Sequence, residues 1–122
     1  MAAWREMSEE AVRGAEILLR ASDYRGSVSR ACYAAYCAAT CEIVKKLTNF
    51  SYGRKNPTHE KVPMYVQNNL TMPQAQKDRI TTLINTLRHF REDADYRPHE
   101  VVDEKVARDC IRDASAVQHE LW

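Results

Sequence analysis

A chain of 122 residues suits one domain, so we assign residues 1–122 to a single unit built around one hydrophobic core. The formal net charge is only +1, which excludes a protein whose whole surface attracts polyanions; any nucleic-acid contact would need a local basic patch. The 3 glycines and 4 prolines supply few turns for a β-rich fold, so we expect a helical one.

The sequence shows no sign of secretion or membrane insertion. Its first ten residues, MAAWREMSEE, lack the apolar core of a signal peptide, and no stretch approaches the roughly 20 apolar residues of a membrane span. We therefore expect a cytoplasmic protein without a membrane partner. The four cysteines form no CxxC pair, so they predict buried thiols in a reducing compartment rather than a metal site, and no cofactor is implied. They are Cys32, Cys37, Cys41 and Cys110.

The first half of the chain predicts two helices. Ser8 followed by two glutamates is typical of a helix N-cap, and the first helix is expected to run to about Ala21. A break over residues 22–27 separates it from a second helix that extends to about Leu47. No charged residue occurs from Ala31 to Cys41, and a helix that is apolar on every side is buried on every side. This second helix should therefore be the central one.

The second half predicts three more helices after an irregular segment at residues 48–58. A short helix follows over residues 58–69, and Pro73 is expected at the first position of a fourth helix, which Pro98 ends. A fifth helix should run from about Val102 to Leu121. The expected core stripe of the fourth helix is Ile80, Leu83, Leu87, Phe90 and Ala94. That of the fifth helix is Val106, Cys110, Val117 and Leu121.

Three segments, taken together, resemble the small HEPN-domain proteins. SRACYAAYCAA is similar to an Arg-x-x-Tyr-x-x-Tyr helix, although Cys37 stands where the family usually has His. Residues 58–62, THEKV, resemble a His-Gly-x-Val element in which Glu60 replaces the usual Gly. Residues 91–96, REDADY, match the family's Arg-x-x-Ala-Asp-Tyr. The resemblance implies an all-α, up-and-down bundle of four or five helices that usually forms a homodimer.

The resemblance also implies a range of functions. Many members are RNA-cleaving toxins or defence effectors, some paired with a nucleotidyltransferase antitoxin, and others are non-catalytic binding modules. The ribonucleases share an Arg followed, after four to six residues, by His. Here Tyr96 stands where the simplest spacing from Arg91 would place His, and His99 lies too far along, beyond Pro98. The chain therefore departs from the Arg/His pair that the family's ribonucleases share. For members paired with a nucleotidyltransferase, the resemblance implies modification of a tyrosine near this motif, and Tyr96 is the candidate here.

The chemistry of RNA cleavage defines the catalytic candidates. Attack by the 2′-hydroxyl needs a base with a pKa near neutral and a cation for the phosphate, which His and Arg supply. Arg91 is the candidate for the phosphate, with Asp95, Tyr96 and His99 as weaker candidates around it. Arg91 and Asp95 can equally form an i,i+4 ion pair that only steadies the helix, and both interpretations stay open. Arg88, on the same flank, supports the phosphate interpretation.

Two further groups are candidate binding residues. Arg30, Tyr33 and Tyr36 are interpreted first as core residues with satisfied polar tips, with Asp95 or Asp93 as the expected partner of Arg30, and otherwise as one wall of a groove. His59 is either a capping or surface residue or a groove-lining proton carrier.

The second group is a cluster of basic residues interleaved with Phe50 and Tyr52. It is either a solvated loop or a contact for single-stranded nucleic acid. The basic residues are Lys45, Lys46, Arg54, Lys55 and Lys61.

Two functional hypotheses follow. In the first, the chain is a HEPN-type dimer in a toxin–antitoxin or defence system that touches RNA or nucleotides. In the second, it is a non-catalytic module that binds a protein or nucleotide, with its Arg, Tyr and Asp residues serving the structure.

Overall fold

The computed structural model describes residues 3–122 and contains five α-helices and no strand within that range. Two single turns of 3-10 helix, Ser51–Gly53 and His59–Lys61, lie between the second and third helices. The all-α prediction is confirmed. The helices are α1 (Trp4–Arg20), α2 (Tyr24–Ile43), α3 (Val62–Asn69), α4 (Gln74–Tyr96) and α5 (Glu104–Leu121).

Helix α2 is the centre of the bundle, as its lack of charge predicts. It contacts α1, α3, α4 and α5, and its small side chains let those helices approach closely. The alanines at positions 31, 34, 35, 38 and 39 are at most 1% exposed. The bulk of the core comes from larger side chains around this strip, among them Ile43, Val66, Ile80 and Leu87.

Ser8 is not the N-cap of α1, which begins four residues earlier. Ser8 lies in the second turn of the helix, and its side chain is fully buried in the core. Its Oγ donates to the carbonyl of Ala34 at 2.7 Å and accepts from Nε2 of Gln118 at 2.9 Å. Because α2 and α5 satisfy this hydroxyl, Ser8 joins three helices instead of starting one.

The break between α1 and α2 is shorter than predicted. Asp23 caps α2 by accepting a 2.9 Å hydrogen bond from the amide of Gly26, so the helix already includes Gly26 and Ser27. A Cβ at Gly26 would lie 2.5 Å from the Asp23 carboxylate, so glycine here permits the cap rather than ending the helix. Ser27 is buried and donates to the carbonyl of Ala15 at 2.8 Å. Helix α2 ends at Ile43, before the predicted Leu47.

The other predicted bounds and stripes need smaller corrections. Pro73 lies just before α4, with ψ of 144°, instead of at its first helical position. Asp103 caps α5 by accepting from the amide of Val106. On α4, Ile84 is buried whereas Leu83 and Phe90 are only partly so. On α5, Ala107 and Ala114 join Cys110 and Val117 in the core, while Val106 and Leu121 pack at its edge. None of the described helices is long and apolar enough to cross a membrane.

Arg25, near the start of α2, holds the end of α4 and the turn after it. Its two Nη atoms donate to five backbone carbonyls, two in the last turn of α4 and three in the segment that follows it. A cation is also favoured there by the negative end of the helix dipole. The carbonyls belong to Asp93, Ala94, Arg97, Pro98 and Glu100.

Replacing Arg25 with Ala should lower the free energy of unfolding by about 1–3 kcal/mol, because the carbonyls lose a charged donor. Urea denaturation measures the change. Arg13→Ala, which removes an exposed arginine from α1, is the matched control and should change stability by less than about 0.5 kcal/mol. Equal effects of the two substitutions would contradict the role given to Arg25.

Candidate functional site

A cavity of about 220 Å³ lies between α2 and α4, and we call it the α2–α4 pocket. It brings together side chains from α2, from α4 and from the 3-10 turn before α3. Its lining is Ser29, Arg30, Tyr33, His59, Arg91 and Asp95. Five of these six residues are candidates predicted from the sequence, and Ser29 is the addition.

Arg91 and Asp95 form the predicted i,i+4 pair, with Arg91 Nε 3.2 Å from Asp95 Oδ2. The hydroxyl of Ser29 donates to the same oxygen at 3.1 Å, which ties α2 to α4. Within residues 3–122 the Arg91 side chain makes no hydrogen bond other than this one from Nε. Both of its Nη groups are therefore free to bind a ligand. The pair is therefore compatible with both of its interpretations, since Asp95 holds one edge of the guanidinium and leaves the other open.

The expectation that Arg30 pairs with Asp95 or Asp93 is wrong. Arg30 has no acidic partner in the described part of the chain, and its Cζ lies 5.2 Å from the centre of the Tyr33 ring. Asp93 instead pairs with Arg97 at 3.0 Å. The reason is helical rotation: successive residues differ by about 100°, so Ser29 faces α4 while Arg30 is turned towards solvent beside α1.

Tyr36 is a buried core residue whose polar tip is satisfied, as the first interpretation predicts. Its hydroxyl donates to the carbonyl of Pro57 at 2.6 Å and accepts from Nδ2 of Asn56 at 2.8 Å. Its ring stacks on that of His59, with centroids 3.9 Å apart and planes 8° apart. By anchoring residues 56 and 57, Tyr36 brings His59 to the pocket, and this is why a loop histidine meets Arg91.

The charges that act on His59 in the pocket are positive. Burial, and then the positive charges of Arg91 and Arg88, lower the pKa of His59 from 6.5 to about 4. The imidazole is therefore neutral at pH 7. Burial, reinforced by the neighbouring Cys37 thiol, raises the pKa of Tyr33, so its phenol keeps its proton. Arg88 lies beside the pocket, in a narrow cleft with Cys32, and is 3.7 Å from Glu92.

The remaining candidates lie outside the pocket. Tyr96 is 69% exposed at the end of α4, with the Arg91 Cζ 6.0 Å from its ring centre. His99 has 77% of its side chain exposed and lies near Glu100. Arg54 and Lys55 are exposed on the loop that precedes His59. The structure thus brings His59, rather than His99, to Arg91.

The four cysteines are free thiols. Three are buried and Cys41 is partly exposed. Burial raises the pKa of Cys32 and of Cys37 to about 11, which leaves both thiols protonated and unreactive at neutral pH.

A larger and more open groove of about 850 Å³ lies between α1 and α5. Its acidic and basic residues include an internal pair, Arg108 with Glu104 at 3.5 Å, and its lining contains no histidine or aromatic ring. We take the smaller α2–α4 pocket as the candidate site because it combines two arginines, one of them with free Nη groups, with an imidazole and a phenol.

Comparison with protein families identifies the family of the fold. The family model for the HEPN domain matches residues 1–121, so the chain belongs to the HEPN domain family. That membership supports a nucleotide- or RNA-related role in general terms. Comparison with individually curated proteins gives no match.

The stability of the protein should depend on pH through His59. Because the pKa falls from 6.5 in the unfolded chain to about 4 in the folded one, the unfolded state binds the proton more readily. The part of the stability that depends on a neutral His59 should therefore be complete above pH 6.5 and should be lost as the pH falls towards 4.

Melting temperatures of the wild type and of His59→Gln across this range measure the effect, and the variant should show a shallower loss. His99→Gln, which alters an exposed imidazole, should retain the wild-type slope. A His59→Gln profile parallel to that of the wild type would show that the buried imidazole does not carry the dependence.

Proposed function

We propose that this HEPN-domain protein binds RNA or a nucleotide through phosphate in the α2–α4 pocket, as a component of a toxin–antitoxin or defence system. The observation that carries the proposal is the Arg91 guanidinium, whose Nη groups have no hydrogen-bond partner within residues 3–122. It shares the pocket with Arg30, which has no acidic partner in that range. A planar guanidinium with free N–H groups is the side chain best suited to bidentate phosphate binding.

The charges around Arg91 suit a phosphate ligand. Two arginines and one aspartate line the pocket, and Asp95 is already engaged by both Arg91 and Ser29. Asp95 therefore acts as a positioning residue, which fixes the direction of the Arg91 fork. Burial is the main cause of the lowered pKa of His59, and the charges of Arg91 and Arg88 lower it further, so both arginines act on this side of the pocket.

The rings in the pocket favour a nucleotide over a bare phosphate. Tyr33 presents a protonated phenol and lies beneath Arg30, while the neutral imidazole of His59 is held rigidly by its stack on Tyr36. Flat rings next to cations are the surroundings in which bases and ribose hydroxyls bind. Arg88, next to His59, extends the positive potential.

The binding proposal predicts that Arg91→Ala weakens the affinity for a fluorescent mononucleotide and for a short RNA by tenfold or more, because a charge-assisted bidentate contact is lost. Fluorescence anisotropy at fixed salt measures it. Arg13→Ala is the charge-matched control and should bind like the wild type. An Arg91→Ala protein with unchanged affinity would remove the pocket from the proposal.

A second candidate function, RNA cleavage, is favoured by the presence of His59 in the same pocket as Arg91. In it, His59 accepts the proton of the 2′-hydroxyl, the oxygen attacks phosphorus, and Arg91 stabilises the charge that develops on the phosphate. The P–O5′ bond breaks, the leaving 5′-oxygen takes up the proton that His59 accepted, and the products are a 2′,3′-cyclic phosphate and a free 5′-hydroxyl. A base with a pKa near 4 is weaker than one near 7, so this reaction would be slow. Tyr96 and His99 are peripheral to this arrangement.

Cleavage is tested by incubating labelled RNA with the protein at neutral pH in the presence of a chelator. We expect slow cleavage that is lost in His59→Ala and Arg91→Ala and kept in His99→Ala. Retained RNA binding without cleavage in the wild type would instead support a non-catalytic binding module. Cleavage that depends on His99 and not on His59 would contradict the assignment of the base.

The proposal includes a homodimer and a nucleotidyltransferase antitoxin as partner. Tyr96, exposed at the end of α4 and next to Arg91, is accessible to a modifying enzyme. Modification there would add bulk and negative charge beside Arg91 and so weaken phosphate binding. Sedimentation at micromolar concentration should give a mass of twice the 14.1 kDa chain, and a mass of one chain would remove the dimer.

A further inference from the structure

Tyr52 is the most exposed large hydrophobic side chain in the described part of the chain, at 98%. Its backbone is in the left-handed region, with φ of 60° and ψ of 32°, and Gly53 follows with φ of 68°. This conformation costs a residue with a Cβ about 1–2 kcal/mol, and strain of this kind concentrates at binding sites. An aromatic ring held in water on a strained turn gives the fold no packing energy in return.

The turn that carries Tyr52 is fixed by its surroundings. Phe50 is 8% exposed and packs edge to face against Tyr65, with ring centroids 5.3 Å apart. The amide of Phe50 donates to the carbonyl of Arg54 at 3.2 Å, and Lys61 Nζ donates to Ser51 Oγ at 3.3 Å. The ring of Tyr52 is therefore presented by an anchored turn.

The segment around Tyr52 has a one-sided charge. From residue 43 to residue 59 the chain has four basic residues and no Asp or Glu. Lys46, Arg54 and Lys55 are exposed and have no acidic partner within residues 3–122, whereas Lys45 pairs with Glu42. An exposed ring among unpaired cations is the combination with which proteins bind single-stranded nucleic acid, the ring stacking on a base and the cations contacting phosphates.

This basic turn is continuous with the α2–α4 pocket. Immediately after Lys55, Asn56 and Pro57 are anchored to the Tyr36 hydroxyl, and His59 then lines the pocket. His59 follows Tyr52 by seven positions, so the turn lies at most about 25 Å from the pocket along the chain. One strand can therefore occupy both places.

We propose that the turn at Ser51–Gly53 with Arg54 and Lys55 is a second subsite, in which Tyr52 stacks on a base of a single-stranded nucleic acid whose phosphate occupies the α2–α4 pocket. This subsite rests on the proposed function and defines its substrate class as a single strand longer than one nucleotide. Stacking on a free ring tolerates any base, so the subsite adds affinity without sequence preference.

The test uses the full chain and two probes: a fluorescent mononucleotide, and a fluorescent single-stranded RNA of roughly ten nucleotides. The variant is Tyr52→Asn, because asparagine accepts the left-handed backbone and removes the ring. The affinity for the RNA should fall roughly tenfold, while the affinity for the mononucleotide stays unchanged. Tyr52→Phe should bind both probes like the wild type.

A second arm separates stacking from charge. With an RNA of the same length that carries abasic sites, Tyr52→Asn and the wild type should bind equally. Removing Arg54 and Lys55 together should reduce the slope of log affinity against log salt by about 1.4, as expected for two lost phosphate contacts. Lys105→Ala with Arg108→Ala removes two cations from α5 and should leave that slope unchanged.

The outcomes distinguish the subsite from the proposed function. If Arg91→Ala weakens mononucleotide binding and Tyr52→Asn binds the RNA like the wild type, the subsite is overturned and the pocket stands. If Arg91→Ala changes neither affinity, the proposed function itself fails. Tyr52-dependent binding of an acidic peptide in place of the RNA would show that the turn is a protein-docking site and would also overturn the subsite.

Discussion

The structure depends on one constraint, which is that α2 must be enclosed on all sides. The helix has no charged residue from Ala31 to Cys41, so exposure of its apolar surface to water is unfavourable on every side. Helices α1, α3, α4 and α5 therefore all pack against it. Its alanines set a close approach, and the neighbouring helices supply the bulk. Two of the polar side chains inside this core, Ser8 and Ser27, are paired with backbone carbonyls, whereas the buried hydroxyl of Thr40 has no hydrogen-bond partner within residues 3–122.

Helix α2 also positions the candidate site, through polar side chains that lie at the edge of the core. Arg25 holds the C-terminal carbonyls of α4, and Ser29, one turn later, binds Asp95. These two contacts set where the end of α4 lies, and hence where the Arg91 guanidinium lies. Further along α2, Tyr36 holds residues 56 and 57 through its hydroxyl and His59 through its ring. The pocket is therefore assembled by side chains of the helix that organises the core.

The pocket brings several positively charged side chains close together. Arg88 and Arg91 act on His59, Arg30 also lines the pocket, and Asp95 is the carboxylate of the lining. Arg91 pairs with Asp95 and Arg88 with Glu92, whereas Arg30 has no acidic partner within residues 3–122, so the cations of the pocket are only partly balanced. Excess positive charge is what an anionic ligand requires. Sites in which local rules are broken in this way are where function is expected.

The sequence by itself determined the five helices, the central position of α2 and membership of the HEPN family. These follow from features that are local along the chain: apolar periodicity, the uncharged stretch and the motif around Arg91. It also determined most of the residues of the pocket.

Only the tertiary structure decided which of those residues meet. It showed that Ser29 rather than Arg30 faces Asp95, that Arg25 clamps α4, that Ser8 is buried, and that His59 rather than His99 lies with Arg91. The physical reason is that these contacts join residues 26 to 110 positions apart, as far as Ser8 and Gln118. They depend on how each helix is rotated about its axis and where a loop is anchored, and neither is encoded in a local pattern.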